Sequence, residues 1–345
     1  MSSANSKPDE SRLIEADSDV RLDSLVASIA GVSRTLAATL IATGQVRVDG
    51  RNEKASYKPR RGERVEIWRP PPTSDRTFEP ESIELTVVFE DEDLLVIDKA
   101  AGMVVHPAPG NWSGTLVNAL LGRGLARNLG SGERGVEPES AVPRAGLVHR
   151  LDKETSGLLL VAKNERAHRI LAKAVADRRV IRQYAVLSRG HLRSERLVVE
   201  KPLARDPRDR KRMAVVQTGK PAKTTFVRLA RFEGSELLRA TLHTGRTHQI
   251  RVHLASVGHP VVGDTVYGAA ARRRTATTEQ EPESGRHFLH AAWLRLRHPS
   301  SGALIDLKSP LPPDLRQSLA NAARDTRILQ QADPLDEFDF YRDDA

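Results

Sequence analysis

Three consecutive prolines, Pro70-Pro71-Pro72, divide the chain into two stretches with different patterning. Proline fixes φ and carries no backbone N–H, so neither a helix nor an interior strand runs through such a triplet. With the polar residues that follow, 70–82 reads as a semi-rigid linker. The flanking stretches must therefore bury separate cores, and 345 residues suffice for one large domain and one small one.

Before the linker, 19–69 opens with Leu22, Leu25, Val26 and Ile29 on one helical face, and Gly31 is a natural stop. Ser33 can cap a second helix carrying Leu36, Leu40 and Ile41, which Gly44 closes. Val46 and Val48 then alternate up to Asp49-Gly50, a hairpin-type turn, with a return strand around Val65 and Ile67. The expectation is a small α/β unit with a basic surface, on which Arg34, Arg47, Arg51 and Lys54 are candidate phosphate contacts. Residues 1–18 are rich in Ser, Asp and Glu without apolar periodicity, as in a disordered tail.

Beyond the linker, 83–325 mixes short strands with helices. Strands are expected at Val87–Phe89, Leu94–Ile97, Leu158–Val161, Ile181–Leu187, Thr224–Leu229, Leu237–Thr241 and Ala303–Leu307. Helical patterning appears near Thr115–Leu121, Glu165–Asp177 and Thr247–Val257. There is no strict βαβ alternation, so the expected class is α+β with a mixed, largely antiparallel sheet. Leu125–Pro143 and Ala269–Arg286 read as surface insertions, and 326–345 as an acidic, mobile tail.

The 54 Lys and Arg against 45 Asp and Glu, with a pI near 10.0, favour a polyanionic partner, nucleic acid before membrane surface. No apolar run approaches the ~18 residues of a membrane span. The polar, acidic N-terminus is unlike a signal peptide, so a cytoplasmic protein without a membrane partner is expected. The absence of cysteine excludes disulfides, thiolate nucleophiles and Cys-ligated zinc. His243, His248, His253 and His259 lack the spacing of a metal-binding helix, and Gly122, Gly124, Gly130 and Gly132 fit no phosphate-binding loop. Neither metal nor nucleotide cofactor is expected.

The densest motif runs Gly146-Leu147-Val148-His149-Arg150-Leu151-Asp152-Lys153-Glu154-Thr155-Ser156-Gly157 into Leu158-Leu159-Leu160-Val161. It reads as two apolar strands flanking a polar loop centred on a carboxylate. Such a loop can simply form an Asx turn. Alternatively, a rigidly held carboxylate is a nucleophile toward an electrophilic sugar or base carbon, and needs no activating base.

His149-Arg150-Leu151-Asp152 with Thr155-Ser156-Gly157 resembles the central motif of the RluA-type pseudouridine synthases, and other stretches follow in the same order. Arg182-Gln183-Tyr184-Ala185-Val186 is similar to that family's tyrosine motif, and His243 through His253 to its basic motif. Gly263-Asp264, Tyr267-Gly268 and His287-Phe288-Leu289-His290-Ala291 follow, so the resemblance spans roughly Leu85 to Pro310. Lys99-Ala100-Ala101-Gly102 departs from it, since the family has Lys-Pro there.

The resemblance implies a cofactor-free isomerisation of uridine in RNA with Asp152 as nucleophile, Tyr184 stacked on the uracil and Arg251 paired with Asp152. It implies substrate contacts from His149, Arg150, Arg246, His248 and Leu289, with Arg150 filling the space left by a flipped base. Arg205, Arg208, Arg210, Lys211 and Arg212 are candidate phosphate contacts. Arg21-Leu22-Asp23, Ser33-Arg34 and Gly44 to Gly50 resemble the small RNA-binding domain named after ribosomal protein S-four. That pairing resembles RluD-type enzymes and implies a monomer acting on ribosomal RNA, with transfer RNA as the other candidate. A silent RNA-binding factor would not need Asp152, Tyr184 and Arg251 together. A glycoside hydrolase would need a second carboxylate, for which only Glu154 is near.

Overall fold

The computed structural model describes residues 8–15, 19–32, 34–68, 79–107, 111–125, 146–209, 212–268 and 285–342. The chain forms two units, the main division falling between Glu79 and Pro80. Pro70-Pro71-Pro72, Ser33, Arg210, Lys211 and most of both expected insertions lie outside the described residues.

In the first unit, α1 (Leu22–Ala30) ends at Gly31, whose φ of 65° lets its N–H reach the Ala27 carbonyl. With α2 (Arg34–Ala42), α1 covers a three-stranded antiparallel sheet ordered β1 (Glu10–Leu13), β3 (Arg64–Ile67), β2 (Val46–Val48). Leu22, Val26, Leu40, Ile41, Val46, Val65 and Ile67 form its core. Two expectations are corrected. Residues 10–13 are not a structureless tail: they pair with β3, from Glu10 opposite Ile67 to Leu13 opposite Arg64. A polar edge strand has one face on water and shows no apolar periodicity. The Asp49-Gly50 turn brings the chain back only as far as Arg51, which exchanges two 2.9 Å hydrogen bonds with Val48. Asp49 then accepts the Arg64 N–H at 2.8 Å and so registers the later return strand.

The second unit is built on one large sheet. Its order is β4 (Thr86–Glu90), β5 (Leu94–Lys99), β6 (Ser156–Ala162), β13 (Leu289–Arg297), β7 (Ile181–Arg189), β12 (Ser235–Leu242), β11 (Lys223–Arg231), β8 (Arg196–Glu200). β14 (Leu304–Lys308) adds to β13, and β9 (Leu203–Arg205) pairs separately with β10 (Met213–Val215). Among these strands only β6 and β13 pair in parallel, through His290 with Ser156 and Ala291 with Gly157. The sheet is thus mixed and mostly antiparallel, as the patterning implied. β6 reads as an unbroken apolar run because it is buried along its whole length. The helices are α3 (Leu116–Gly122), α4 (Glu165–Ala176), α5 (Gln249–Ser256) and α6 (Pro313–Ala323). Asn164 caps α4 by accepting the Ala167 N–H at 2.8 Å, and Ala167 and Leu171 pack with Leu94, Val96, Leu158, Leu160 and Leu294.

Residues 326–342 are corrected from a mobile tail to a docked strap. Acidic composition hid its apolar anchors: Ile328, Leu335 and Phe340 are buried, and Tyr341 packs edge-on to Trp293 at 5.7 Å. Arg239 of β12, itself buried, donates from Nη1 to the carbonyls of Asp339, Phe340 and Arg342. No helix of the described residues is long and apolar enough to cross a membrane.

The parallel pairing depends on Gly157. Its φ is +109°, and a Cβ there would lie 2.4 Å from the Ala291 carbonyl oxygen. Gly157→Ala is expected to destabilise the second unit by about 2–4 kcal/mol, from overpacking plus an unfavourable φ. The check is a lowered urea midpoint at unchanged m; a midpoint equal to that of the unaltered protein would contradict the close approach.

Candidate active site

The loop 146–155 is held at nearly every residue. Ala162 donates to the Gly146 carbonyl at 2.8 Å, Leu147 bridges to Val161, and Thr155 donates to the Asp152 carbonyl at 3.1 Å. The expected strand before the loop is therefore a single bridge, and only β6 flanks it as a strand. Lys99 carries the largest share of the clamping. Its ammonium is fully buried and donates to the carbonyls of Ala100, Met103 and Lys153 at 2.7, 3.0 and 3.0 Å. Burial pulls Lys99 down to about 8, with Glu154 partly offsetting it, so it remains charged near neutral pH. From the other side Arg286 donates to the Glu154 carbonyl at 2.8 Å and to Ser156 Oγ at 3.1 Å, anchored by Asp314. Thr155 Oγ1 meets His287 Nε2 at 2.9 Å.

Asp152 emerges from this frame with 15% of its side chain exposed. Its Oδ2 lies 3.3 Å from Nη1 of Arg251, on α5. Arg251 is committed more strongly to Asp264, with Nε to Oδ2 at 2.7 Å and Nη2 to Oδ1 at 3.0 Å. Asp264 also accepts the N–H groups of Val266 and Tyr267 at 2.9 and 3.0 Å. Burial opposes both charges, but their hydrogen bonds and mutual attraction outweigh it. Arg251 is raised and Asp264 lowered from their ordinary ranges. The resemblance led to the Arg251–Asp152 contact; the stronger partner, Asp264, was noted in sequence without a role.

α5 begins at His248, whose φ of 56° is costly for a residue with a Cβ. Gln249 shapes that start: Oε1 accepts from Thr244 Oγ1 at 2.7 Å and from the Arg246 N–H at 3.0 Å. Tyr267 OH accepts the Met213 N–H at 3.0 Å and meets His248 Nδ1 at 2.7 Å. The phenol then donates to Nδ1, and the neutral imidazole carries its proton on Nε2, 3.9 Å from Asp152 Oδ2. Tyr184 of β7 is buried, and burial pushes it up to about 12 against the pull of Arg182, so the phenol keeps its proton.

Of the other expected residues, Leu289 is buried at the start of β13, while Arg150 and Arg246 are exposed. His149 braces the loop: its Nε2 accepts the Leu160 N–H at 3.1 Å. Arg205 and Arg208 are exposed on the β9–β10 arm, and Arg212 lies 5.2 Å from the Tyr267 ring centre. His243, His253 and His259 each have separate partners, namely Thr225, Thr224 with the Lys201 carbonyl, and the Arg189 carbonyl. In the first unit Arg47, Arg51 and Lys54 are exposed, whereas Arg34 pairs with Asp23 at 3.2 Å. Lys99, Asp264, Tyr267, Arg286 and His287 were not singled out as site residues in sequence.

Residues 93–256 match the family model described as RNA pseudouridylate synthase, and residues 20–65 match the S4 domain. The chain is 46% identical over 270 residues to the ribosomal large subunit pseudouridine synthase D of Nitrosomonas europaea, spanning 78% of this chain and 74% of that protein. It is 39% identical over 309 residues to the uncharacterized RNA pseudouridine synthase YlyB of Bacillus subtilis, spanning 89% and 95%. The solved structure of human RNA pseudouridylate synthase domain containing 1 aligns with a TM-score of 0.50 at 28% identity, over 69% of this chain and 89% of that one.

The imidazoles of His287, buried, and His149, partly buried, make the fold acid-sensitive. Burial holds His149 and His287 down at about 3, from an ordinary 6.5, helped by the charge of Arg182 and of Arg251 respectively. The unfolded chain takes up these protons near pH 6.5 and the folded chain only near pH 3. Their contribution is therefore full above pH 6.5 and is lost as pH falls toward 3. The expected slope is up to ~1.4 kcal/mol per pH unit per histidine. In His149→Gln, whose amide oxygen can still accept from Leu160, urea melts from pH 6 to 4 should give a slope shallower by about one proton. An unchanged slope would mean that His149 is not held neutral.

Proposed function

The chain belongs to the RNA pseudouridylate synthase family, isomerases that convert uridine in RNA to pseudouridine, and on that premise we propose that its substrate is large-subunit ribosomal RNA and its nucleophile Asp152. The substrate reading is supported by the extent of likeness to the large-subunit enzyme of Nitrosomonas europaea. The reading of the nucleophile is carried by one observation, the Arg251 guanidinium shared between fully buried Asp264 and partly buried Asp152. Two carboxylates and one guanidinium sum to a single negative charge. Asp264 neutralises the cation, so Asp152 is oriented by it without losing its own charge to it.

In the reaction the N1–C1′ bond of the uridine breaks, the uracil turns, and C5 bonds to C1′. The C5 proton is lost and N1 gains one, so no oxidant or reductant is consumed. A stacked base cannot reach Asp152, and turning it out costs a few kcal/mol. Exposed Arg150 beside the nucleophile is suited to fill the gap. Phosphate contacts from Arg205, Arg208 and Arg212 would offset the cost. Tyr184 offers its ring to the uracil, and its retained proton makes it a hydrogen-bond donor before it can be a base. Leu289 serves the pocket wall, and Arg246 and His248 serve the RNA side. In the first unit Arg47, Arg51 and Lys54, with Arg34 partly engaged by Asp23, hold RNA phosphates without taking part in the chemistry.

Mapping pseudouridines in large-subunit ribosomal RNA from cells with and without the gene tests the substrate. The expected result is the loss of specific sites; loss confined to transfer RNA would refute it. Purified Asp152→Asn should form no pseudouridine while keeping RNA affinity within about twofold, and substantial residual turnover would remove Asp152 from its role. Arg251→Lys keeps a charge but cannot span both carboxylates. Its saturating rate should fall at least ~10-fold with little change in affinity, and equal losses in both would indicate a direct RNA contact.

A further inference from the structure

Among the described residues, five cations are buried: Lys99, Arg182, Arg239, Arg251 and Arg286. Four are compensated, Lys99 and Arg239 by three carbonyls each, Arg251 by two carboxylates, and Arg286 by Asp314 with two loop acceptors. Arg182 is the exception. It is 5% exposed, its Nε has no hydrogen-bond partner, and no carboxylate of the described residues pairs with it. An uncompensated buried guanidinium is costly, so its persistence needs a reason outside the unliganded fold.

Its position supplies one. Arg182 stands two residues before Tyr184 on β7, and so projects from the same face of the strand. Its Nη1 reaches the loop that starts α5, where a methyl group on Gly245 would lie 3.4 Å away. The charge of Arg182 is felt by Tyr184 and by His149. His149 is a second unfilled donor: Nε2 accepts from Leu160, so the neutral ring carries its proton on Nδ1, which is buried without a partner. Donors without acceptors therefore lie within electrostatic reach of each other, one of them two residues from Tyr184 on the same strand.

Resting on the reading of Tyr184 and Asp152 given above, we propose that Arg182 is a catalytic residue that hydrogen-bonds the uracil carbonyl oxygens and stabilises the negative charge the base acquires as its bond to the sugar breaks. When N1–C1′ breaks, its electron pair leaves with uracil and spreads over O2 and O4. The charge is discharged when C5 bonds to C1′, the C5 proton departs and N1 is protonated. Attack at C6 would also place charge on O4, so the requirement holds for either route. Phosphates are poorer candidates, because they are strongly hydrated and exposed Arg150 and Arg208 are better placed to meet them. A guanidinium already largely withdrawn from water, with its Nε unpartnered, acts on developing charge with little reorganisation.

The test uses the full-length enzyme with ribosomal RNA from cells lacking it, in single turnover at saturating enzyme, with affinity measured at several salt concentrations. Arg182→Met should lower the saturating rate by ~10²–10³-fold, the cost of removing a preorganised donor to developing charge. Affinity should change by less than about twofold, with the salt slope intact, and Tm should stay level or rise because an unpaired buried charge is gone. Arg182→Lys should recover part of the rate. Weakened binding with a salt slope flatter by about one and an unchanged rate would make Arg182 a phosphate contact. A lower Tm without rescue by lysine would make it structural, and an unchanged rate would end the proposal outright. An unaltered enzyme that forms no pseudouridine on this RNA would overturn the substrate reading instead, taking this inference with it. Activity of the unaltered enzyme alongside a normal Arg182→Met variant would overturn this inference alone.

Discussion

The forked ion pair between Arg251 and Asp264 fixes the geometry of the site. Asp264 is fully enclosed and Arg251 nearly so, and neither could remain charged there without the other. The pair joins α5 to the turn that carries Tyr267. It leaves one guanidinium nitrogen, Nη1, facing Asp152. Asp152, the proposed nucleophile, is thus placed by a cation whose own charge is already balanced. A lone arginine opposite Asp152 would bind it more tightly and make it a poorer nucleophile.

The loop that carries Asp152 shows the same economy of charge. Lys99 and Arg286 approach it from opposite sides and bind its carbonyls, not its carboxylates. Backbone carbonyls satisfy an ammonium's donors without cancelling its charge, so the loop is pinned without its carboxylates being consumed. Gly157, immediately after the loop, lets β6 come against β13 at the parallel pairing. The residues that bear His287 and Leu289 are brought to the loop by that contact.

Much of this was legible in sequence because local rules and tertiary outcome agree. β6 reads as a buried run, α4 has its Asn164 cap, and the basic motif sits where α5 starts. The missed features share one cause: their meaning depends on partners far along the chain. β1 is a polar edge strand recognisable only once β3 is beside it. The docked C-terminal strap spaces Ile328, Leu335 and Phe340 too irregularly for a period, and its carbonyls are claimed by Arg239, about a hundred residues earlier. Lys99 did carry a local signal. It continues the alternation of Leu95 and Ile97 on β5, which places its side chain on a buried face.

Asp264 and Arg182 mark the limit of reading charge from composition. A formal charge of +9 suggests a polyanion, and the exposed arginines of both units fit that reading. The cation proposed to act on the base is instead a buried one. On the proposed reading burial divides the basic residues: exposed ones are suited to the phosphates of any RNA, whereas a buried one needs a particular acceptor. Where the fold supplies that acceptor, as for Lys99, Arg239 and Arg286, the cation is architecture, and Arg251 adds to its Asp264 partner a contact with Asp152. Where the described fold supplies none, as for Arg182, the acceptor has to arrive with the substrate, and the cost of keeping the charge buried beforehand becomes selectivity for the base that completes it.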